Sequence, residues 1–243
     1  MEPIYQQSFT IHDSAVDRYG RLKPSMLLYY IQEVATTHGS ALGFDQKTLE
    51  VKNLFWAILR TRVQITRLPR AGETIRLETW PMPTTRVAYP RSVIAFDSQG
   101  NELFRAISIW VMMDITTRAM VLPGKSGFRM EGSITGSELA VPGSLAPRPM
   151  EHSHSRTVYF SDLDQNGHMN NTRYFEWMYD LLPSSFHESR SIREFTICYL
   201  SEAREGQTLN MSYEADDDTL QVEATRLDGE KHTRVFAAKL VFG

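Results

Sequence analysis

The chain has 243 residues, 42% of them hydrophobic and 23% charged, an ordinary balance for a globular protein with a sizeable core. Its formal net charge of −3 offers no concentrated basic surface for nucleic acid, whose binding rests on counterion release. The single cysteine, Cys198, excludes an internal disulfide and a cysteine-built zinc site, and it suits a reducing compartment.

Met1 to Ser8 lack the basic-then-apolar order of a signal peptide, and no plastid transit segment or run of about 18 apolar residues is present. The expected setting is the cytoplasm of a bacterium, or the chain is a mature form. A first helix is predicted from near Pro24, well suited to a first helical turn, to around Gly39 or Gly43, with Leu27, Leu28, Tyr30 and Ile31 on its apolar side. Strands are predicted over Trp56–Leu68, Thr74–Trp80, Arg86–Phe96 and Leu103–Asp114, with turns at Ala71-Gly72-Glu73 and a hairpin at Asp97-Ser98-Gln99-Gly100. From Gly124 to Pro149 five glycines, three prolines and four serines break all periodicity, which reads as a linker.

Beyond it Tyr174, Phe175, Met178, Leu181 and Leu182 form one helical stripe, with Arg173, Glu176 and Asp180 off it. The helix is expected to begin around Asn170 or Asn171, asparagine being a favourable N-cap. Four more strands are predicted, Glu194–Leu200, Thr208–Glu214, Leu220–Leu227 and Thr233–Phe242, the last two joined by a hairpin at Asp228-Gly229.

The two halves are copies. Thr10, Ile11, Ser14, Val16, Asp17 and Gly20 recur as Thr157, Val158, Ser161, Leu163, Asp164 and Gly167 at one constant offset, and Gly72 recurs as Gly206 after an insertion in the first copy. A strand, one helix and then four strands, done twice, predicts two antiparallel sheets, each wrapped around a long helix. Residues 1–130 and 150–243 are the expected domains and 131–149 the linker.

Only the second copy carries a polar constellation. Asp164, Asn166 and His168 form D-x-N-x-H where the first copy has Asp17, Tyr19 and Arg21, and Glu202 stands where the first copy has Leu68. In an extended segment alternate side chains share a face, so the three can point into one pocket just before the helix. His168 has the unperturbed pKa nearest neutrality, which suits proton transfer to and from water, and Glu202 can share that work or orient the imidazole. Free N–H groups of a first helical turn can bind an oxyanion. Asp164 and Gly167 also occur in the first copy, so both equally suit a turn.

The segment Asp164-Gln165-Asn166-Gly167-His168-Met169-Asn170-Asn171, followed by Tyr174 and Trp177, resembles the signature of plant and bacterial acyl-acyl-carrier-protein thioesterases, and Tyr199-Leu200-Ser201-Glu202-Ala203 is similar to a second motif of that family. The resemblance implies an α+β tandem (double) hot-dog fold and hydrolysis of fatty acyl-acyl carrier protein to free fatty acid. It also implies a catalytic set of Asp164, Asn166, His168 and Glu202, no cofactor, and acyl carrier protein as partner. Plant members have a cysteine directly after the glutamate, proposed as nucleophile; here it is Ala203, and Cys198 falls on the opposite strand face, so an activated water is expected to attack. Met26, Tyr30, Val34, Phe55 and Trp56 are candidates for an acyl channel whose end the sequence does not place. Arg86, Arg91, Arg148, Arg173, Arg190 and Arg193 are candidates for docking the acidic carrier.

Other signals fail. Gly124-Lys125-Ser126 lacks the earlier glycine of a phosphate loop, and His152 with His154 has no supporting metal pattern. An acyl-CoA thioesterase of the same fold and a non-catalytic acyl-binding module are the rival readings. A monomer and a homodimer are both compatible with the tandem.

Overall fold

The computed structural model describes residues 4–133 and 139–243. It divides into two compact units, Met1–Pro142 and Gly143–Gly243. Residues 134–138 of the expected linker lie outside the described residues.

In the first unit β1 (Tyr5–Thr10) leads through a 3-10 turn at Asp13–Ala15 to α1 (Pro24–Ala41), α2 (Gln46–Val51), β2 (Leu54–Ile65), β3 (Thr74–Pro81), β4 (Tyr89–Phe96), β5 (Glu102–Asp114), the two-residue β6 (Met120–Val121) and α3 (Pro123–Ser126). The sheet runs β1-β3-β4-β5-β2 with β6 on β5, antiparallel throughout. Helix α1 starts with Pro24 in its first turn. It ends in a Schellman arrangement, with Gly43 N donating to Ser40 O at 3.0 Å and Phe44 N to Gly39 O at 2.9 Å. That geometry needs the left-handed φ of +85° that Gly43 adopts. The helix packs on β1 and β3 and buries Leu27, Leu28, Ile31 and Val34. The short α2, β6 and α3 were not legible as elements in the sequence.

The second unit repeats the plan with β7 (His152–Thr157), a 3-10 turn at Phe160–Asp162, α4 (Asn171–Tyr179), α5 (Ser184–Ser189), β8 (Ile192–Tyr199), β9 (Thr208–Ala215), β10 (Thr219–Asp228) and β11 (Lys231–Phe242). Its antiparallel order, β7-β9-β10-β11-β8, is the first sheet's order strand for strand. Helix α4 begins after Asn170, as expected, but is shorter than its stripe suggested: Leu181 and Leu182 lie beyond it. Pro183 disfavours helical backbone at Leu182, so the chain leaves the helix at Asp180. The buried face is Tyr174, Phe175, Trp177 and Met178, with Phe175 on Phe195 of β8 at 4.8 Å between ring centroids and Tyr174 on Phe236 of β11 at 5.0 Å. The family's α+β double hot-dog fold is therefore present as two equivalent sheet-and-helix units. No helix among the described residues is long and apolar enough to cross a membrane.

Candidate active site

The loop before α4 is tied by one carboxylate. Asp164 Oδ1 accepts from Asn166 N at 2.8 Å and His168 N at 3.3 Å, while the Asp164 backbone N–H donates to His168 O at 2.8 Å and its carbonyl accepts from Gly167 N at 3.0 Å. The first copy builds the same loop: Asp17 Oδ1 accepts from Tyr19 N at 2.9 Å and Arg21 N at 3.0 Å, Asp17 N donates to Arg21 O at 2.7 Å, and Gly20 and Gly167 share a φ of +72°. An aspartate accepting from its own loop is a local turn device.

Past the shared aspartate the copies diverge. In the first, Arg21 folds back on its own loop, Nε donating to Asp17 Oδ2 at 3.0 Å. In the second, His168 reaches out, its Nε2 lying 3.2 Å from Glu202 Oε2. Two backbone features make that meeting possible. Met169 N donates to Ala203 O at 2.8 Å, which lays the loop beside the segment carrying Glu202; its counterpart, Leu22 N to Pro69 O at 2.8 Å, leaves Leu68 at the matching place. A β-bulge at Val235 lets one carbonyl accept from both Leu200 N and Ser201 N, ending the pairing of β8 and turning the chain toward Glu202. Leu103 does the same for Thr66 and Arg67 in the first copy.

His168 is largely enclosed, with 16% of its side chain exposed, whereas Glu202 is 40% exposed, so the pair stands where water has access. Asn166 is exposed, and its amide donates to Asp164 Oδ2 at 3.4 Å. The described contacts therefore join His168 to Glu202, and Asp164 to both Asn166 and the His168 backbone. No described contact joins Asn166 to Glu202.

Asn170 serves as the cap of α4, its Oδ1 accepting from Thr172 N at 2.9 Å. Tyr199 of the second motif donates its hydroxyl to Asn171 O at 3.2 Å, fastening the end of β8 to the helix start. Burial pushes the Tyr174 and Tyr199 hydroxyls far above the ordinary tyrosine range, so both stay protonated donors. Cys198 is fully buried, in keeping with a core role. Sequence reasoning missed Arg226 on β10, which donates Nη1 to the Glu202 carbonyl and Nε to Asp228 at 2.9 Å. It lies 24 residues from Glu202 with no local pattern to mark it.

The family profile for the acyl-ACP thioesterase N-terminal domain matches residues 2–122, and that for the C-terminal domain matches residues 147–237. The chain belongs to the acyl-ACP thioesterase family. It is 25% identical over 233 residues to a palmitoyl-acyl carrier protein thioesterase of Gossypium hirsutum, covering 89% of this chain and 56% of that protein. A dodecanoyl-[acyl-carrier-protein] hydrolase of Cinnamomum camphora is 27% identical over 217 residues, covering 82% and 56%. The chain thus spans about half the length of the curated acyl-ACP thioesterases it matches. The crystal structure of an acyl-ACP thioesterase from Bacteroides thetaiotaomicron superposes with a TM-score of 0.88 at 26% identity, covering 99% of this chain and 98% of that one. The 12:0-ACP thioesterase of Umbellularia californica shares the fold, with a TM-score of 0.83 at 22% identity over 100% and 98% of the two chains.

Proposed function

We propose that the chain hydrolyses the thioester of fatty acyl-acyl carrier protein, releasing free fatty acid and carrier protein, with catalysis assigned to residues 150–243 and acyl-chain binding to residues 1–130. The observation that carries the reading is the 3.2 Å approach of His168 to Glu202, present in the copy that has both groups and impossible in the copy that has Arg21 and Leu68. Family membership and the names of the relatives supply the substrate class.

In this reading His168 and Glu202 take a proton from water as its oxygen adds to the thioester carbonyl, and return one to sulfur as the carbon–sulfur bond breaks, so water is divided between the acid and the thiol. One of the two is base and the other orients and relays. Asp164 is a positioning residue that holds the His168 backbone. Asn166 offers an amide N–H to the carbonyl or the water, and helix-start N–H groups stabilise the tetrahedral oxyanion. No nucleophilic cysteine is needed, which accords with Ala203 beside Glu202 and Cys198 in the core.

Acyl carrier protein is the partner in this account. Of the arginines proposed to dock it, Arg91 must be removed: it is 5% exposed, inside the first unit. Arg148 is engaged with Glu214 and Gln221, and Arg173 with Asp162 and Glu176, leaving them surface residues already held by neighbours. Monomer and homodimer both remain within the proposal, as does a bacterial cytoplasmic setting, supported by the lone cysteine and the bacterial relative.

The test is thiol release from acyl-carrier-protein and matched acyl-CoA substrates of graded length. The expected result is turnover with the higher kcat/KM on the carrier protein. A reversed preference supports the acyl-CoA reading, and binding without thiol release supports a non-catalytic acyl-binding module.

A further inference from the structure

The helix-facing side of the first sheet is not uniformly apolar. Strand register places Thr61, Ser108 and Arg91 side by side across β2, β5 and β4, with Pro81 of β3 next. The same register in the second unit places Phe195, Leu240, Leu220 and Ala215. Phe195 packs on α4 there, so the matching first-unit row faces α1. A core row of three apolar side chains in one copy is two hydroxyls and a guanidinium in the other.

Arg91 is anchored on both sides: its Nη1 lies 3.0 Å from His38 Nδ1 of α1 and donates to Thr79 Oγ1 at 3.2 Å, while Tyr5 stacks on the His38 ring at 5.5 Å between centroids. No carboxylate among the described residues pairs with it. Burial draws the Arg91 pKa down only to about 10, so it is cationic at neutral pH. Burial and then Arg91 lower His38 to about 4, so the imidazole is neutral and accepts. Thr61 Oγ1 is buried with no hydrogen-bond partner among the described residues. Ser108 Oγ accepts from Trp110 Nε1 at 2.9 Å.

The row separates two regions. On one side Val63, Ala106 and Val93, then Ile65, Phe104 and Ala95, are closed core, all fully or nearly fully buried. On the other, Tyr89, Trp110, Met112 and Trp56 continue the same face into an aromatic cluster that Phe44 and Phe128 join, and Trp56, Trp110, Phe44 and Phe128 are only partly buried. Of the sequence's channel candidates, Trp56 lies in this cluster, Tyr30 and Val34 are buried on α1, and Phe55 adjoins the Trp56 position with Arg118 over its ring at 4.4 Å.

We propose that Arg91, held by His38 and Thr79, is the wall at which the acyl channel of the first unit ends, and so a residue that sets the longest chain accepted. This rests on the acyl-chain role proposed above for residues 1–130. An alkyl chain entering from the aromatic cluster gains transfer energy with each methylene until its methyl group meets the guanidinium. There it would strip a cation of polar neighbours and supply none, which costs more than a methylene returns.

The experiment measures binding of saturated fatty acids of graded length to the full chain, by displacement of a fluorescent fatty acid. Affinity is expected to rise about fourfold per added methylene, the equivalent of about 0.8 kcal/mol, and then to stop rising at one length. In Arg91→Leu, the residue of the matching position 220, the break moves to chains at least two methylenes longer, and in Arg91→Lys it stays. A break unchanged in folded Arg91→Leu overturns the proposal. The wild type gives a second test that needs no variant to fold. An ω-hydroxyl weakens binding of chains too short to reach Arg91 and strengthens it several-fold at the break length, where the guanidinium can donate to it. Absence of that crossover also overturns the proposal. Neither measurement involves a thioester, so loss of the hydrolase reading and loss of the wall are separately visible.

Discussion

Asp17 and Asp164 accept the same loop amides, yet only Asp164 holds a histidine that meets a glutamate. Replacing either by alanine should cost about 1.5–3 kcal/mol of stability, the range for hydrogen bonds to a charged acceptor. Asp17→Ala is expected to leave turnover unchanged while Asp164→Ala lowers it, which urea titration and thiol release on the same samples decide. His38 gives a pH prediction. Its folded pKa, about 4, is below the ordinary 6.5 because burial, then Arg91, opposes its charge. The stability tied to the neutral imidazole is complete above pH 6.5 and is lost as pH falls from there toward 4. His38→Gln keeps an acceptor for Arg91 but cannot titrate, so its urea midpoint should gain on the wild type as pH drops through that window. A constant difference would contradict this. Neither Arg91 nor His38 was legible in the sequence as core, because a single buried polar residue in a strand or helix has no periodic signature; the sequence placed Arg91 among the arginines expected to dock the acidic carrier.

At the scale of elements, patterning located most of what forms. Pro24 and Gly43 bounded α1, Asp97–Gly100 and Asp228-Gly229 became hairpins, and Asn170 capped α4. Asn170→Ala should destabilise the protein by about 1 kcal/mol, read as a lowered Tm, and reduce turnover more than that loss of stability explains, because the cap sets the N–H groups of the proposed oxyanion site. A variant with lowered Tm and intact turnover would separate the helix start from the chemistry. The length of α4 was misread because Leu181 and Leu182 satisfy helical spacing while Pro183 rules on backbone. The bulge at Val235 had no sequence mark either, since an extra residue in one strand is defined by its partner.

Across the whole chain, the constant offset between Thr10 and Thr157 and between Asp17 and Asp164 foretold the shared strand order of the two units. The same comparison singled out His168 and Glu202, 34 residues apart, because the first copy lacks both. Their contact was beyond sequence: it depends on the Met169–Ala203 hydrogen bond and on the bulge that frees Glu202 from β8. Asn166 was grouped with them by alternation; the loop is a tight turn and not an extended strand, and in it one Asn166 amide N–H is directed to Asp164 Oδ2. The most direct measurement of the central claim is a double-mutant cycle on thiol release from acyl-acyl carrier protein, using His168→Ala, Glu202→Gln and the pair. Each single change is expected to lower kcat/KM by about 10²- to 10⁴-fold, and the double to be no worse than the more damaging single within a few-fold, as for groups acting as a unit. Losses that multiply in the double variant, or a single variant with turnover intact, would contradict a shared role for the two side chains.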